Sequence, residues 1–398
     1  MTNVREAVGP LGPVFEDVHR IAVLRGGGLG DLLFALPAME ALADAYPGAE
    51  ITLLGTPLHR ELFEGRPGPV HDVEVLPFAQ GVRDGQVDDD AVDAFFTRMR
   101  AREFDLAVQV HGGGRFSNPF LLNLGARHTV GTRTDDAAPL ECNLPYLYYQ
   151  HEVLRALEVV GLAGATTAQV TPRIQVMDAD RAAAAAALTG TSPGRPRLVL
   201  HPGATDARRR WASERFAQVA RWAAEDGFDV DVIGDASEQE LARQVVAEAT
   251  VAQASAEPPA AGAGTIRSLA GRFSIGGLVG LLEAADVMVG NDSGPRHLAQ
   301  AVGTATVGIY WVGNVINAAS LGRCRHRMHI GWVTHCPVCG ADVTQVGWTA
   351  EKCDHTFPLN DAVEPRDVYA DVRTLAGAPG ATAATGEQAD HGQDSSCS

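Results

Sequence analysis

IAVLRGGGLGD, residues 21–31, is the stretch on which the fold prediction rests, because an apolar run leads directly into a glycine-rich turn and an acidic helix start. Short apolar runs alternate with helix-period segments along most of the chain, which is the pattern of parallel sheets flanked by helices. In the first half the runs recur at 50–55, 72–77 and 105–112, and helices are predicted at about 31–46 and 88–102.

The same rhythm restarts in the second half of the chain. Apolar runs occur at 197–203, 229–235, 285–292 and 305–311, and helices are predicted at about 213–225, 237–249 and from 295 onward. The sequence therefore predicts an α/β protein of two Rossmann-like domains, joined near residues 165–195.

The charge of the chain limits its partners. The 398 residues carry a formal net charge of −17, so a protein surface that binds nucleic acid is excluded and any anionic ligand needs a local basic cluster. Lys352 is the only lysine, which excludes a P-loop lysine and a Schiff-base enzyme as function classes.

The location is predicted to be cytoplasmic. Residues 1–20 mix both charge signs with Gly and Pro and lack the apolar centre of a secretory signal. The uncharged stretch 298–322 is long enough to span a bilayer, but its polar residues and glycines favour a buried α/β core. No transmembrane segment is predicted, and any membrane contact would be peripheral.

The glycine turn differs from the dinucleotide-binding fingerprint. Gly26 and Gly28 have the first spacing, but Asp31 occupies the third glycine position, where a carboxylate would repel a pyrophosphate. Two interpretations of Asp31 stay open: a cap for the helix N-terminus, or a general base that takes a proton from a hydroxyl.

Two strand-to-helix turns in the second half have the chemistry of an anion site. HPGATDARRRW, residues 201–211, places three arginines beside Thr205, although a solvated turn would also explain them. NDSGPRHLA, residues 291–299, offers a serine hydroxyl and a helix N-terminus, while helix capping and a core histidine are the alternative interpretations.

Three blocks together, 25–38, 201–211 and 291–299, resemble glycosyltransferase family 9, the heptosyltransferases that act on ADP-heptose. The blocks follow the family's order, and the resemblance covers most of the chain from about Ile21 to Ala376. It implies the GT-B architecture, with two Rossmann-like domains facing a central cleft. It also implies an inverting, metal-independent transfer of a sugar from a nucleotide diphosphate to an acceptor hydroxyl.

The resemblance also implies roles for single residues. Asp31 matches the catalytic base, and Arg209 falls where the family often has lysine. The donor-binding set is Thr205, Arg209, Arg210, Glu238, Asp292, Ser293, Gly294 and His297. The acceptor-binding set is Gly28, Gly30, Gln109, His111, Arg115 and Asn118.

The predicted domains follow from both arguments. They are an acceptor-binding domain with the base at 1–170, a nucleotide-sugar domain at 171–325, a Cys/His segment at 326–360, a helix at 361–376 and a disordered tail at 377–398. The expected partners are an ADP-heptose-like donor and a saccharide or glycolipid acceptor. Alternatives are another nucleotide sugar with an acceptor outside lipopolysaccharide, an epimerase or phosphorylase, and a non-catalytic sugar-nucleotide-binding protein.

The cysteines form a separate feature. Cys336 and Cys339 have the spacing of a zinc knuckle, and Cys353 with His355 follows closely enough to complete a tetrahedral site. A structural zinc, a cysteine staple and free thiols stay open as interpretations, and catalysis itself is expected to need no cofactor.

Overall fold

The computed structural model describes residues 8–188, 194–254, 262–345 and 353–377. The chain divides into two compact units. The first reaches Asp180 and includes Ile316–Ala318, and the second takes 181–315 and the chain from Ala319 onward. The predicted tail at 377–398 lies, after its first residue, outside the described residues.

The first unit is a parallel sheet with helices. Its strands are β1 Arg20–Leu24, β2 Glu50–Gly55, β3 Asp72–Val75, β4 Leu106–Gln109, β5 His128–Arg133 and β6 Cys142–Pro145. Its helices are α1 Leu29–Ala45, α2 Pro57–Phe63, α3 Asp89–Arg100, α4 Ser117–Leu122 and α5 Glu152–Gly161; α6 Asp178–Ala187 begins here and ends in the second unit. The strand order is β3-β2-β1-β4-β5-β6.

The second unit repeats this plan. Its strands are β7 Arg197–His201, β8 Asp229–Val232, β9 Ile266–Ser268, β10 Val287–Asn291, β11 Ala305–Trp311 and β12 His326–Gly331. Its helices are α7 Ser213–Glu225, α8 Gln239–Ala254, α9 Ile275–Glu283, α10 Gly294–Val302 and α12 Pro365–Leu375; α11 Val312–Ala318 begins here and ends in the first unit. The order is β12-β11-β10-β7-β8-β9, again parallel throughout.

Strand order fixes where each unit can bind a ligand. In the first sheet the direction of winding reverses between β1 and β4, and in the second between β7 and β10. Open α/β sheets bind ligands at the carboxyl ends of the strands beside such a reversal. The glycine turn after β1, and the two turns after β7 and β10, lie at these points.

Each sheet is buried by helices whose apolar residues recur at helical spacing. Leu32, Leu33 and Leu36 of α1 are almost fully buried, as are Trp211 and Phe216 at the start of α7. Burial of side chains of this size stabilises the fold by about 1.5–3 kcal/mol each. The turns are thereby carried on rigid elements.

The prediction of two Rossmann-like halves is confirmed, and several details are corrected. Helix α8, predicted at about 237–249, extends to Ala254, because alanine favours helix. Residues 326–331, predicted as part of the Cys/His segment, form strand β12, which pairs with β11 and belongs to the second sheet. Residues 298–322 divide among α10, β11 and α11, and no helix among the described residues is long and apolar enough to cross a membrane.

Candidate active site

Asp31 is held at the carboxyl end of β1 by both of its carboxylate oxygens. The Gly28 N–H donates to Oδ2 at 2.9 Å, so the carboxylate caps α1 as expected. Nη2 of Arg25 donates to Oδ1 at 2.9 Å. About half of the Asp31 side chain, 49%, stays exposed. The carboxylate is therefore fixed in direction and still accessible.

The turn requires glycine at one position for two reasons. Gly27 has φ +87°, a conformation that side chains disfavour. A Cβ on Gly27 would also lie 2.6 Å from Oδ2 of Asp31. Any side chain there would displace the carboxylate.

Arg25, which the sequence prediction did not select, is the buried cation of this turn. Its Nη2 also lies 3.1 Å from Oε2 of Glu152 at the start of α5, and its Nε donates to the Asp31 carbonyl at 2.9 Å. Burial opposes the charge of Arg25, but the carboxylates of Asp31 and Glu152 outweigh it and raise the pKa of the guanidinium. Glu152 is 127 residues away in sequence, so no local pattern could identify it.

Two histidines flank the turn without adding charge. The His59 Nδ1 accepts from the Thr56 N–H at 3.2 Å, and the His111 Nε2 lies 3.2 Å from the Gly81 carbonyl. Burial lowers the pKa of His59 and of His111 to about 4, because it disfavours the charged imidazolium. Both rings are therefore neutral at neutral pH.

Two of the predicted acceptor residues have a different role in the structure. Gln109 and Asn118 are fully buried. The Gln109 amide donates to the carbonyls of His111 and Gly112, and the Asn118 amide donates to the carbonyls of Thr132 and Ala138. Neither side chain reaches the surface. The predicted acceptor contact is therefore corrected to a role in holding the loop after β4.

The other acceptor candidates are accessible. Gly28 and Arg115 are exposed, and Gly30 and His111 are partly buried. The Arg115 guanidinium lies over the Phe116 ring at 5.3 Å and 3.4 Å from the Asp136 carboxylate. An exposed cation and ring therefore lie on the loop after β4.

In the second unit, the three arginines after β7 have three different partners. Arg208 pairs with the Asp206 carboxylate of its own turn at 2.8 Å, and Nε of Arg210 donates to the Ala204 carbonyl at 2.9 Å. Nη1 of Arg209 lies 3.5 Å from Oδ2 of Asp292. The structure thus directs Arg209 toward the turn after β10.

Asp292 is buried among polar groups at that turn. Nε2 of His297 lies 2.9 Å from its Oδ1, and the Asn314 amide donates to its Oδ2. Burial would raise the pKa of Asp292, but the hydrogen bond to His297 and the charge of Arg209 bring it below the usual range. Asn314 lies in α11, 22 residues on, and the sequence prediction missed it.

His201, at the end of β7, connects two of the predicted donor residues. Its Nδ1 lies 2.9 Å from Oγ of Ser293, and its Nε2 lies 3.1 Å from Oε2 of Glu238. The hydrogen bond from His201 lowers the pKa of Glu238. Ser293 precedes α10, whose N-terminus at Gly294 leaves backbone N–H groups for an anion. Thr205 is exposed on the turn after β7.

The four predicted metal ligands are close together. Ligand atoms of Cys336, Cys339, Cys353 and His355 all lie within 4.8 Å of one another. The Cys339 and Cys353 sulfurs are 3.7 Å apart, too far for a disulfide bond, and the cysteines of the cluster are free thiols. Three thiolates and an imidazole fit a tetrahedral zinc site.

This Cys/His segment packs against the arginine turn. Cys336, Val343 and Leu359 form a small core with Trp311. The Leu359 N–H donates to the Arg208 carbonyl at 2.9 Å, and the Asn360 amide donates to the Arg209 carbonyl at 2.7 Å. The backbone that carries Arg209 is therefore held by the segment.

Two Rossmann-like units of parallel strands, with polar turns at each reversal of winding, have the GT-B fold of solved glycosyltransferase structures. Residues 92–325 match the family model described as glycosyltransferase family 9 (heptosyltransferase). The chain belongs to this family.

The most similar proteins agree with this assignment. The chain is 21% identical to the lipopolysaccharide core heptosyltransferase OpsX of Haemophilus influenzae, over 77% of this chain and 83% of OpsX. It is 24% identical to lipopolysaccharide heptosyltransferase 1 of Pseudomonas aeruginosa, over 80% of this chain and 86% of that protein.

Solved structures show the same fold. A family 9 glycosyltransferase from Veillonella parvula superposes with a TM-score of 0.70 at 18% identity, over 90% of this chain and 97% of that one. The E. coli ADP-heptose lipopolysaccharide heptosyltransferase II superposes with a TM-score of 0.64 at 19% identity, over 90% of this chain and 98% of that one.

Replacing Gly27 by alanine should impair sugar transfer much more than replacing Gly48. Both glycines have φ +87°, so each alanine costs about 1–2 kcal/mol of backbone strain. At Gly27 the new Cβ meets the Asp31 carboxylate, whereas a Cβ at Gly48 would enter open space. Denaturant unfolding and transfer rates of Gly27→Ala and Gly48→Ala check this. Equal transfer rates in the two variants would show that the position of Asp31 is unimportant.

Proposed function

We propose that the protein transfers a heptose, or a similar sugar, from an ADP-activated donor to a hydroxyl of a saccharide or glycolipid acceptor. The transfer inverts the anomeric carbon, and Asp31 is the general base. The observation that carries the proposal is the carboxylate of Asp31, oriented by Gly28 and Arg25 yet half exposed at the winding reversal of the first sheet.

The proposed step is a single displacement. The acceptor oxygen forms a bond to the anomeric carbon while the bond from that carbon to the diphosphate oxygen breaks. Asp31 accepts the hydroxyl proton as the acceptor attacks, which is the task of a positioned general base. ADP leaves with the electron pair of the broken bond.

The leaving diphosphate needs positive charge, which the second unit offers. The Arg209 guanidinium and the N–H groups at the start of α10, after Ser293, are suited to a diphosphate. Thr205, Arg210 and Gly294 are proposed beside the same phosphates. These groups would stabilise the developing negative charge, so the proposal includes no catalytic metal.

The remaining donor residues would orient the sugar and the nucleoside. We assign the donor-sugar hydroxyls to Asp292, supported by its low pKa, which keeps it an acceptor of hydrogen bonds. His297 positions that carboxylate. Glu238, held by His201, is proposed to contact the ribose.

ADP is favoured over other nucleotides by the relatives. The E. coli structure that this fold resembles is named for ADP-heptose, and the curated relatives are named lipopolysaccharide heptosyltransferases. A donor with another base and an acceptor outside lipopolysaccharide is the alternative. A non-catalytic nucleotide-sugar-binding protein would use the same second unit and would not need Asp31.

The acceptor is assigned to the first unit. Gly28 and Gly30 of the turn, with His111 and Arg115 of the loop after β4, are the proposed contacts, while Gln109 and Asn118 hold that loop. We propose, as predicted, that residues 1–170 form the domain that binds the acceptor and residues 171–325 form the domain that binds the donor. The proposed location is the cytoplasm, with peripheral membrane contact for a glycolipid acceptor.

Cys336, Cys339, Cys353 and His355 are proposed to hold one structural zinc. Support comes from the donor set and from ligand atoms that lie within 4.8 Å of one another. The metal would stabilise the Cys/His segment, and with it the backbone at Arg209.

Asp31→Asn should abolish most transfer while leaving ADP binding unchanged. The amide keeps the shape of the side chain but accepts no proton, so a loss of about 10²–10⁴-fold in kcat is expected. ADP release is measured with and without acceptor, together with ADP affinity. Asp93→Asn, an exposed acid on α3, is the control. Near-normal turnover of Asp31→Asn would refute the base assignment.

ADP should raise the melting temperature more than UDP or GDP at equal concentration, because a ligand that binds the native state stabilises it. Replacing Arg209 tests the diphosphate contact separately. Arg209→Ala should weaken ADP binding by about 10–100-fold, since a charge-assisted hydrogen bond contributes roughly 1.5–3 kcal/mol. Arg243→Ala, which removes an exposed arginine of α8, should bind ADP normally. A stronger response to UDP or GDP would contradict the ADP assignment alone.

Elemental analysis of the purified protein should find about one zinc per chain, and iron is measured in parallel because thiolate sites bind both. Cys353→Ser should lose the metal and bind ADP more weakly, because the segment holds the Arg209 backbone. Cys324→Ser, an exposed cysteine outside the cluster, should do neither. Wild-type protein that contains no metal and binds ADP with full affinity would contradict the proposed zinc site.

A further inference from the structure

Four charged side chains, one of them the proposed base, form a cluster whose two cations are buried. Arg25 and Arg155 are its cations, with side chains 7% and 8% exposed, and Asp31 and Glu152 are its anions. Glu152 is 19% exposed. The formal charges of the cluster cancel, and its residues come from the turn after β1 and from α5.

Arg25 is shared between the two carboxylates. One nitrogen, Nη2, donates to Oδ1 of Asp31 at 2.9 Å and to Oε2 of Glu152 at 3.1 Å. Nε donates to the Asp31 carbonyl, and Nη1 donates to the Val110 carbonyl. The guanidinium therefore has fixed partners on three nitrogens, and its charge is divided between a base and an acid that has no assigned role.

Glu152 is in turn fixed by Arg155. Nη1 of Arg155 donates to Oε1 of Glu152, while Nη2 donates to the carbonyls of Leu147 and Tyr148 at 2.6 and 3.0 Å. The Arg155 guanidinium also lies over the Tyr146 ring at 4.6 Å. Glu152 therefore bridges the two arginines from the first turn of α5.

The surroundings make the balance of charge matter. The cavity beside Arg25, Glu152 and Arg155 is otherwise lined by one polar and five apolar residues, which are Thr132, Phe34, Ala35, Val110, Ala156 and Val159. Interactions between charges are stronger beside such apolar walls than in water. Three titratable neighbours add no charge at neutral pH, since burial lowers the pKa of His59 and His111 to about 4 and raises that of Tyr146.

We propose that Glu152 is a positioning residue that shares the charge of Arg25, and so keeps Asp31 able to accept the acceptor proton. This inference rests on the proposed role of Asp31 as base. A carboxylate facing the full charge of an arginine keeps its own charge to lower pH, but it takes a proton less readily. Glu152 reduces that effect.

The test is the pH dependence of kcat/KM for Glu152→Gln. The variant leaves one uncompensated positive charge beside Asp31, so the acid limb should move to lower pH, by about one unit, and the plateau should fall about tenfold. ADP affinity should not change. Glu158→Gln, the same substitution later in α5, should match wild type in both.

Two further variants keep the inference falsifiable if Glu152→Gln folds poorly. Arg155→Gln leaves an uncompensated negative charge and should move the acid limb the opposite way, to higher pH. Glu152→Asp keeps the charge and should restore much of the plateau. A lower plateau with an unshifted acid limb in both charge variants would reduce Glu152 to a structural role. Near-normal turnover of Asp31→Asn would instead refute the base itself, whichever way these profiles move.

Discussion

Parallel strand pairing is the constraint on which the rest of this molecule depends. Every ladder between the named strands of the two sheets is parallel, so each connection crosses back through a helix or loop and all strands of a sheet end at the same edge. Residues distant in sequence are thereby brought to one edge, where the winding reverses. The glycine turn with Asp31 and the paired turns of the second unit are products of this geometry and of local turn chemistry.

The partners of each arginine determine which of them can act on a bound anion. Of three consecutive arginines, Arg208 is neutralised by Asp206 and Arg210 is bonded to a carbonyl, which leaves Arg209 directed at Asp292. In the first unit Arg25 is likewise divided between two carboxylates. In both units the hydrogen-bond and ion-pair partners of an arginine therefore decide how much of its charge is compensated. A count of basic residues would not show which arginine can bind an anion.

The sequence was sufficient for features that depend on local order. Long apolar runs identified β1, β2 and β7, and the glycine turn and the two anion turns followed from residues adjacent in the chain. The strands β5, β6, β9 and β12 were missed; β6 (CNLP) and β9 (IRS) are three to four residues long and carry almost no β-branched side chains. Glu152 and Asn314 were missed because their contacts join separate elements, and the burial of Gln109 and Asn118 is a property of packing.

Neutral histidines beside the glycine turn have a consequence for how the fold responds to acid. His59 and His111 ordinarily titrate near pH 6.5, but in the folded chain they do so only at about 4. Between these pH values the two histidines bind protons in the unfolded chain but not in the native one. The folded state therefore loses stability as the pH falls from about 6.5 to about 4. These two side chains flank Asp31, so the residue proposed to accept a proton lies in a part of the fold that contributes to its sensitivity to acid.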